Sequence, residues 1–161
     1  MRHGFSCPDA VALVKGGALA PDIHGTVEFY QTTGGVIVKA EISGLPRNEN
    51  GFYGFHIHQG TDCEGVGFQN TGSHYNPSGM LHPHHAGDLP PLLATNGGSY
   101  LAVQTDRFTT KEIIGHTVVI HSKADDFTSQ PAGNAGEKIA CGVIQRCSKP
   151  NGRSHSSRCT E

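Results

Sequence analysis

Histidine and aspartate residues of the kind that bind metal ions are concentrated in the middle of the chain. Two histidines stand one residue apart in Gly54-Phe55-His56-Ile57-His58, and the series continues with His74, His82, His85, Asp88 and His121. Imidazole is the most versatile metal-binding side chain, and a single carboxylate among many imidazoles suits zinc or copper better than calcium or magnesium. The residue types therefore predict a transition-metal site.

The pair His56 and His58 lies in a segment with the character of a strand. Residues i and i+2 of a strand point to the same face, so both imidazoles can face one ion. His121 ends another strand-like run, Thr117-Val118-Val119-Ile120, and can complete the set from a neighbouring strand. A single strand histidine would be interpreted as a surface residue. A His-x-His pair with four further candidates in loops favours metal binding.

A second set consists of three imidazoles and one carboxylate: His74, His82, His85 and Asp88. This composition is typical of a closed, tetrahedral structural zinc site. His84 is the ambiguous member of the segment. Because His85 has the better spacing to Asp88, we expect His84 to face solvent or to lie outside the ligand shell.

Composition limits the classes of protein to consider. A chain of 161 residues fits one domain, and its net charge of -2 provides no basic field that would recruit nucleic acid or a membrane. No apolar run is long enough to span a bilayer, and Met1-Arg2-His3-Gly4-Phe5 does not continue into a signal-peptide core. As written the chain is expected in the cytoplasm, or outside it if a leader was removed.

The pattern of hydrophobic residues predicts strands rather than helices. Glycine-rich turns separate seven segments of alternating or β-branched character: 10–15, 25–31, 35–42, 54–58, 99–105, 116–121 and 139–145. The turn Thr32-Thr33-Gly34-Gly35 predicts a hairpin. About eight short strands indicate an all-β, single-domain antiparallel barrel or sandwich. The long segments Gln59–Asn96 and Ser122–Lys138 are expected to be functional loops. Residues 1–147 would form the domain, and 148–161 a polar, flexible tail.

Five cysteines are widely separated: Cys7, Cys63, Cys141, Cys147 and Cys159. None forms a C-x-x-C pair, which argues against a thiolate zinc site. Disulfides would favour an oxidising compartment, whereas the absence of a visible leader favours the cytoplasm. An odd number leaves at least one cysteine without a partner inside the chain.

Several motifs together resemble copper/zinc superoxide dismutase. They are Gly-Phe-His-Ile-His, Gly-Ser-His-Tyr-Asn-Pro, His-Ala-Gly-Asp-Leu, Val-Val-Ile-His-Ser-Lys-Ala-Asp-Asp and Gly-Asn-Ala-Gly-Glu-Lys-Ile-Ala-Cys-Gly-Val-Ile, and they follow the family's order from Asp22 to Ile144. The resemblance implies a Greek-key β-barrel and an antioxidant oxidoreductase. Its copper would cycle between Cu(II) and Cu(I), converting superoxide to O2 and hydrogen peroxide.

The resemblance also implies a role for individual residues. Copper would be held by His56, His58, His74 and His121, and zinc by His74, His82, His85 and Asp88. His74 would bridge the two ions and take up a proton during catalysis, and Asp125 would link histidines of the two sites from the second shell. Cys63 and Cys141 would form a disulfide. A second bridge between Cys7 and Cys147 is expected because the first and last strands of this barrel are neighbours, which leaves Cys159 as a thiol.

Two departures from the family pattern concern catalysis. Lys138 stands where the family usually has an active-site arginine, and it retains the positive charge without the planar fork. The segment from His121 to Lys138 is also shorter than in the familiar animal enzymes. The alternative hypotheses are a catalytically weak relative that stores or buffers copper or zinc, and a structural protein built on the same barrel. A homodimer is compatible with each of these.

Overall fold

The structure is a computed structural model, and it describes residues 7–147. Within this range the chain forms a kinked 3₁₀ segment at Val66–Thr71 and a one-turn helix α1 at Thr110–Ile113. The nine strands are β1 (Ala10–Gly16), β2 (His24–Thr32), β3 (Gly35–Ser43), β4 (Phe52–Tyr53), β5 (Phe55–His58), β6 (Leu92–Leu93), β7 (Ser99–Thr105), β8 (Thr117–His121) and β9 (Lys138–Arg146).

Seven strands form one curled antiparallel sheet in the order β5-β8-β9-β1-β2-β3-β7. Strands β4 and β6 pair separately, and β6 contacts the edge strand β7. β2 and β3 form a hairpin in which Thr32 pairs with Gly35, as the turn sequence predicts. This arrangement confirms the predicted all-β, Greek-key architecture. None of the helices among residues 7–147 has the length and apolar character that a membrane crossing needs.

All seven predicted strand segments are present, with ends that differ by at most one residue. The sequence did not predict β4, β6 or α1. A two-residue strand is too short to show alternation, so β4 and β6 leave no periodic signal. Helix α1 has a signal, because Thr109 and Glu112 form a capping box at its first turn.

The core lies on the inner face of the sheet. Alternate residues of β1 and β3 are buried there, and in β5 the side chains of Phe55 and Ile57 join the same cluster. His56 and His58 occupy the opposite face of β5 by strand alternation. They are nevertheless 0% and 2% exposed, because loops cover that face. The fold thus creates a second, polar interior beside the hydrophobic one.

A disulfide joins Cys63, in the first long loop, to Cys141 in β9, with 5.8 Å between the Cα atoms. The disulfide implied by the resemblance is therefore present.

The bridge between Cys7 and Cys147 remains a prediction. The start of β1 and the end of β9 are adjacent, since the Cys147 amide donates to Asp9 O at 3.0 Å. Cys159 and the predicted tail, 148–161, lie outside the described residues, so the domain boundary also remains a prediction.

Candidate metal centre

Adjacent strands bring three of the predicted ligands together. β5, which carries His56 and His58, pairs with β8, which ends at His121. Between Ile120 and His121 the register of β8 against β9 shifts by one residue, so that His121 faces Lys138. An irregularity of this kind changes the direction of a side chain at the end of a strand. Because Ile120 lies in the hydrophobic core, strand alternation places His121 on the opposite face, the face of His56.

The first long loop returns along the free edge of β5 and carries the remaining ligands. Tyr75 donates its amide to Ile57 O at 2.8 Å, and the Ile57 amide donates to Gly87 O at 2.9 Å. A side chain at Gly87 would place its Cβ 2.3 Å from Ile57 O, so only glycine permits this approach. The pairing places His74 opposite His58 and Asp88 opposite His56.

We call the first of the two resulting clusters the first histidine group. It consists of four buried imidazoles, each with a nitrogen within 4.8 Å of a nitrogen on every other: His56, His58, His74 and His121. His58 Nδ1 donates to Gly72 O at 2.9 Å, and His121 Nδ1 donates to Gly136 O at 3.3 Å. Because a carbonyl only accepts, the Nε2 atoms of His58 and His121 bear lone pairs. These two lone pairs face each other at 3.1 Å, an arrangement that a cation would stabilise.

The second group contains the other predicted set: His74, His82, His85 and Asp88. The Nδ1 atoms of His74, His82 and His85 lie 2.7, 3.1 and 3.3 Å from the Asp88 carboxylate oxygens. His74 Nδ1 and His85 Nδ1 are 3.4 Å apart. Ligands at about 2.0–2.1 Å from a tetrahedral zinc ion are roughly 3.3 Å from one another. The four donor atoms therefore have the spacing of a zinc site.

His74 belongs to both groups. Its Nδ1 faces Asp88, and its Nε2 is buried with no hydrogen-bond partner within the described structure. The ring of His56 lies against it, with 4.0 Å between the ring centres. One imidazole thus presents a nitrogen to each group.

Three buried imidazole nitrogens lack a hydrogen-bond partner among the described residues: His56 Nδ1, His74 Nε2 and His82 Nδ1. Buried polar atoms are rarely left in this state, because each costs desolvation free energy. All three belong to residues of the two groups. A metal ion bound in each group would account for all three.

Burial favours the neutral form of His56, His58 and His121 in the first group. Desolvation lowers the pKa of His56, places that of His58 well below its usual value, and lowers that of His121 to about 3. Neutral rings retain the lone pair that a metal needs. The cluster is thus available for coordination at physiological pH.

Asp125 joins the two groups from behind. Its Oδ2 accepts from His56 Nε2 at 2.7 Å, and its Oδ1 accepts from His82 Nε2 at 2.9 Å. Burial alone would raise the pKa of Asp125, but hydrogen bonds from His56, the Phe127 amide and His82 lower it to about 2. The charged carboxylate fixes the tautomers of both rings and leaves their Nδ1 atoms as acceptors. Gly133 makes room for it, because a Cβ there would lie 2.0 Å from Oδ1.

Lys138 borders the cavity in front of the first group, together with His58 and His121. Its Nζ donates to Thr71 Oγ1 at 2.7 Å and to Gly72 O at 2.9 Å. No acidic side chain accepts from it among the described residues. The ammonium charge is therefore not neutralised by a carboxylate.

The two adjacent histidines of the loop have different environments. His85 is 7% exposed and belongs to the second group, whereas His84 is exposed to solvent. The sequence predicted His85 as the ligand and His84 as the residue outside the ligand set, because His85 has the better spacing to Asp88. The structure places His85 near Asp88, with the His85 amide donating to Asp88 Oδ2 at 3.0 Å.

Two residues that the sequence did not predict support the second group. Gln130 forms a pair of hydrogen bonds with the backbone of His82, at 3.0 Å to its amide and 2.7 Å to its carbonyl. Arg107 donates from one guanidinium nitrogen to the carbonyls of Pro83, His85 and Asp88, at 2.9, 3.3 and 3.2 Å. Both residues act on backbone atoms, which leaves no motif in the sequence.

Comparisons with known proteins identify the family pattern. Residues 23–144 match the family model of copper/zinc superoxide dismutase. The chain is 37% identical to superoxide dismutase (Cu-Zn) 2 of Aquifex aeolicus strain VF5, covering 77% of this chain and 80% of that protein. It is 36% identical to the Legionella pneumophila superoxide dismutase (Cu-Zn), covering 78% and 80%. A double mutant of a SOD-like protein from Bacillus subtilis shares 25% identity with a TM-score of 0.70, covering 84% and 96%.

Replacing Arg107 should weaken the second group. The Arg107→Gln variant loses the donor shared by three carbonyls of residues 83–88, so we expect zinc affinity to fall about tenfold, corresponding to roughly 1.4 kcal/mol. Competition with a chromophoric chelator measures the affinity. Arg47→Gln is the matched control, because Arg47 is exposed and lies away from this loop. Equal zinc affinities for both variants would contradict the role of Arg107.

Proposed function

Because the chain belongs to the copper/zinc superoxide dismutase family, we propose that its first histidine group holds copper and its second group holds zinc. The family establishes the activity as dismutation of superoxide, with copper and zinc as cofactors. The proposal concerns which residues of this chain perform it. The ligands are those predicted from the sequence, with His74 in both sets.

One observation carries the assignment. Three buried imidazole nitrogens have no hydrogen-bond partner among residues 7–147, and all belong to the two groups: His56 Nδ1, His74 Nε2 and His82 Nδ1. Each has an opposite ring nitrogen that is bonded to a carboxylate. A carboxylate behind a ligating histidine fixes its tautomer and raises its basicity. The rings are therefore arranged as ligands.

Bound copper supplies the two one-electron steps, in which one superoxide is oxidised to O2 and a second is reduced to hydrogen peroxide with two protons from solvent. The residues of the chain handle the proton and attract the substrate. His74 would take up one of these two solvent protons at Nε2 in one half of the cycle and release it to the reduced superoxide in the other. Its Nδ1 stays in the second group, so the ring does not move away. Lys138 attracts the anion and orients it near His58 and His121.

Local charge is needed because the chain as a whole carries a net charge of -2. Lys138 supplies that charge at the cavity, and no carboxylate within the described residues pairs with it. A protein that only stores metal has no need for an anion-attracting cation at its metal site. This cation favours catalysis over the storage or buffering alternative.

Single replacements in adjacent positions test the ligand sets. His85→Ala should lower zinc content and thermal stability, because a bound ion contributes folding free energy, whereas His84→Ala should retain both. The His56→Ala/His121→Ala double variant should lose copper and dismutase activity while retaining zinc. Metal analysis of each reconstituted protein, with calorimetry, measures these outcomes. Zinc loss in His84→Ala, or full copper and activity in the double variant, would refute the assignment.

The charge of Lys138 should control the rate of dismutation. Lys138→Glu should slow the reaction strongly and flatten or invert its salt dependence, because the charge that attracts superoxide is reversed. Lys138→Arg should preserve or raise the rate, since the guanidinium retains the charge and adds a planar fork. Rate constants over a range of ionic strength measure both effects. Equal rates for all three proteins at full copper content would exclude guidance by this residue.

The decline of dismutase activity at alkaline pH provides a second test of the role of Lys138. Burial lowers the pKa of Lys138 below its ordinary value, so its charge is lost at a lower pH than that of a solvent-exposed lysine. Activity that depends on this charge should therefore decline as pH rises through the lowered pKa. Lys138→Arg should shift the decline to higher pH, because guanidinium remains charged.

The chain is also proposed to form a homodimer through the exposed apolar face beside the disulfide. Leu13 is 51% exposed and borders a cleft shared with Phe68 and Val143, and Val66, two residues from Phe68 in the chain, is 92% exposed. A patch of this kind can bind a second copy of itself about a two-fold axis. Sedimentation of the holoprotein should give a dimer that Leu13→Lys/Val66→Lys dissociates. Leu19→Lys, at another exposed leucine, is the control. A monomeric wild-type protein would refute the proposal.

A further inference from the structure

We infer that Thr71 is the positioning residue for Lys138, fixing its ammonium at the mouth of the copper cavity. This inference rests on the proposed role of Lys138 in guiding superoxide. Thr71 is 0% exposed, although it is polar and lies in a surface loop. Its burial beside a charged side chain requires an explanation.

The two hydrogen bonds of the Thr71 hydroxyl have a defined direction. Lys138 Nζ lies 2.7 Å from Thr71 Oγ1, and Phe68 O lies 2.8 Å from the same oxygen. An ammonium only donates and a carbonyl only accepts. The hydroxyl therefore accepts from Lys138 and gives its own proton to Phe68 O. This orients a lone pair toward the ammonium.

The backbone around Thr71 is fixed, so its hydroxyl is a stable reference point. Gly60 donates its amide to Thr71 O at 2.8 Å, and a Cβ at Gly60 would lie 2.5 Å from Thr71 Cα. The disulfide at Cys63 attaches the same loop to β9, three residues beyond Lys138. The loop that carries Thr71 is thus joined to β9 twice, by the disulfide at Cys141 and by the hydrogen bonds of the Lys138 ammonium.

A lysine needs such partners more than an arginine does. Its ammonium ends a flexible four-carbon chain and has no planar fork to fix its direction. Thr71 Oγ1 and Gly72 O accept two of its three protons, which leaves one proton for an anion in the cavity. Holding the ammonium in place raises the rate of dismutation, because the side chain does not have to be ordered again each time an anion arrives.

The Thr71→Val variant removes the acceptor with little change of volume. In the holoenzyme we expect the dismutation rate constant to fall about three- to tenfold, the loss expected for one typical intramolecular hydrogen bond. The salt dependence should keep its slope, because the positive charge remains. Thr71→Ser, which keeps the hydroxyl, should restore the rate.

A double-mutant cycle separates positioning from a structural effect. In a Lys138→Met background, Thr71→Val should cause no further loss of rate, because no ammonium remains to be positioned. Thr117→Val is the matched control, since Thr117 is also fully buried and its hydroxyl donates to Gly60 O in the same region. We expect it to lower the rate by less than twofold in both backgrounds.

A readout without copper tests the contact itself. In zinc-loaded, copper-free protein, NMR relaxation at the Lys138 side-chain nitrogen should show an ordered ammonium that becomes mobile in Thr71→Val and ordered again in Thr71→Ser. Unchanged order in Thr71→Val, or an equal loss of rate in both Lys138 backgrounds, would overturn the inference. If Lys138→Met itself has the wild-type rate, the guidance role fails. If Lys138→Met is slow while Thr71→Val matches wild type, only the positioning by Thr71 fails.

Discussion

Holding imidazole nitrogens without hydrogen-bond partners inside the protein is the constraint on which the rest of this structure depends. A buried ring nitrogen without a partner costs free energy, and three of them occur in the two groups. The fold maintains them by bonding the opposite nitrogen of each ring to a carboxylate. Asp125 does so for His56 and His82, and Asp88 does so for His74. The result is a set of buried lone pairs that a bound cation can satisfy.

The barrel supplies only part of that set. Strands β5 and β8 present His56, His58 and His121, and all other ligands come from a loop that has almost no regular structure. That loop is held by main-chain contacts with the edge of β5, by the disulfide at Cys63 and by the side chains of Arg107 and Gln130. A ligand-bearing loop with this many attachments is not free to adjust to each ion. These attachments do not themselves involve a metal ion.

The sequence predicted the strands and the residues of both groups because both have a local signature. Strand alternation placed His56 and His58 on one face, and the order of the motifs identified the family. Other features depend on contacts between distant residues. The register shift at His121 arises from pairing with β9. Arg107 and Gln130 bind carbonyl and amide groups, which any sequence possesses, and so leave no pattern. The two-residue strands β4 and β6 exist only because the chain brings Phe52 opposite Leu93.

The surroundings of Lys138 show how a change of residue type alters what its neighbours must do. An arginine at this position would carry its own rigid fork, so its direction would depend less on the loop. A lysine obtains direction from acceptors, and the loop provides a carbonyl at Gly72 and a hydroxyl at Thr71. Partial burial of Lys138 lowers its pKa, which these two acceptors oppose by stabilising the charged form. On the proposed role of Lys138, the loop that carries the disulfide contributes to the rate by directing the cation through these two acceptors.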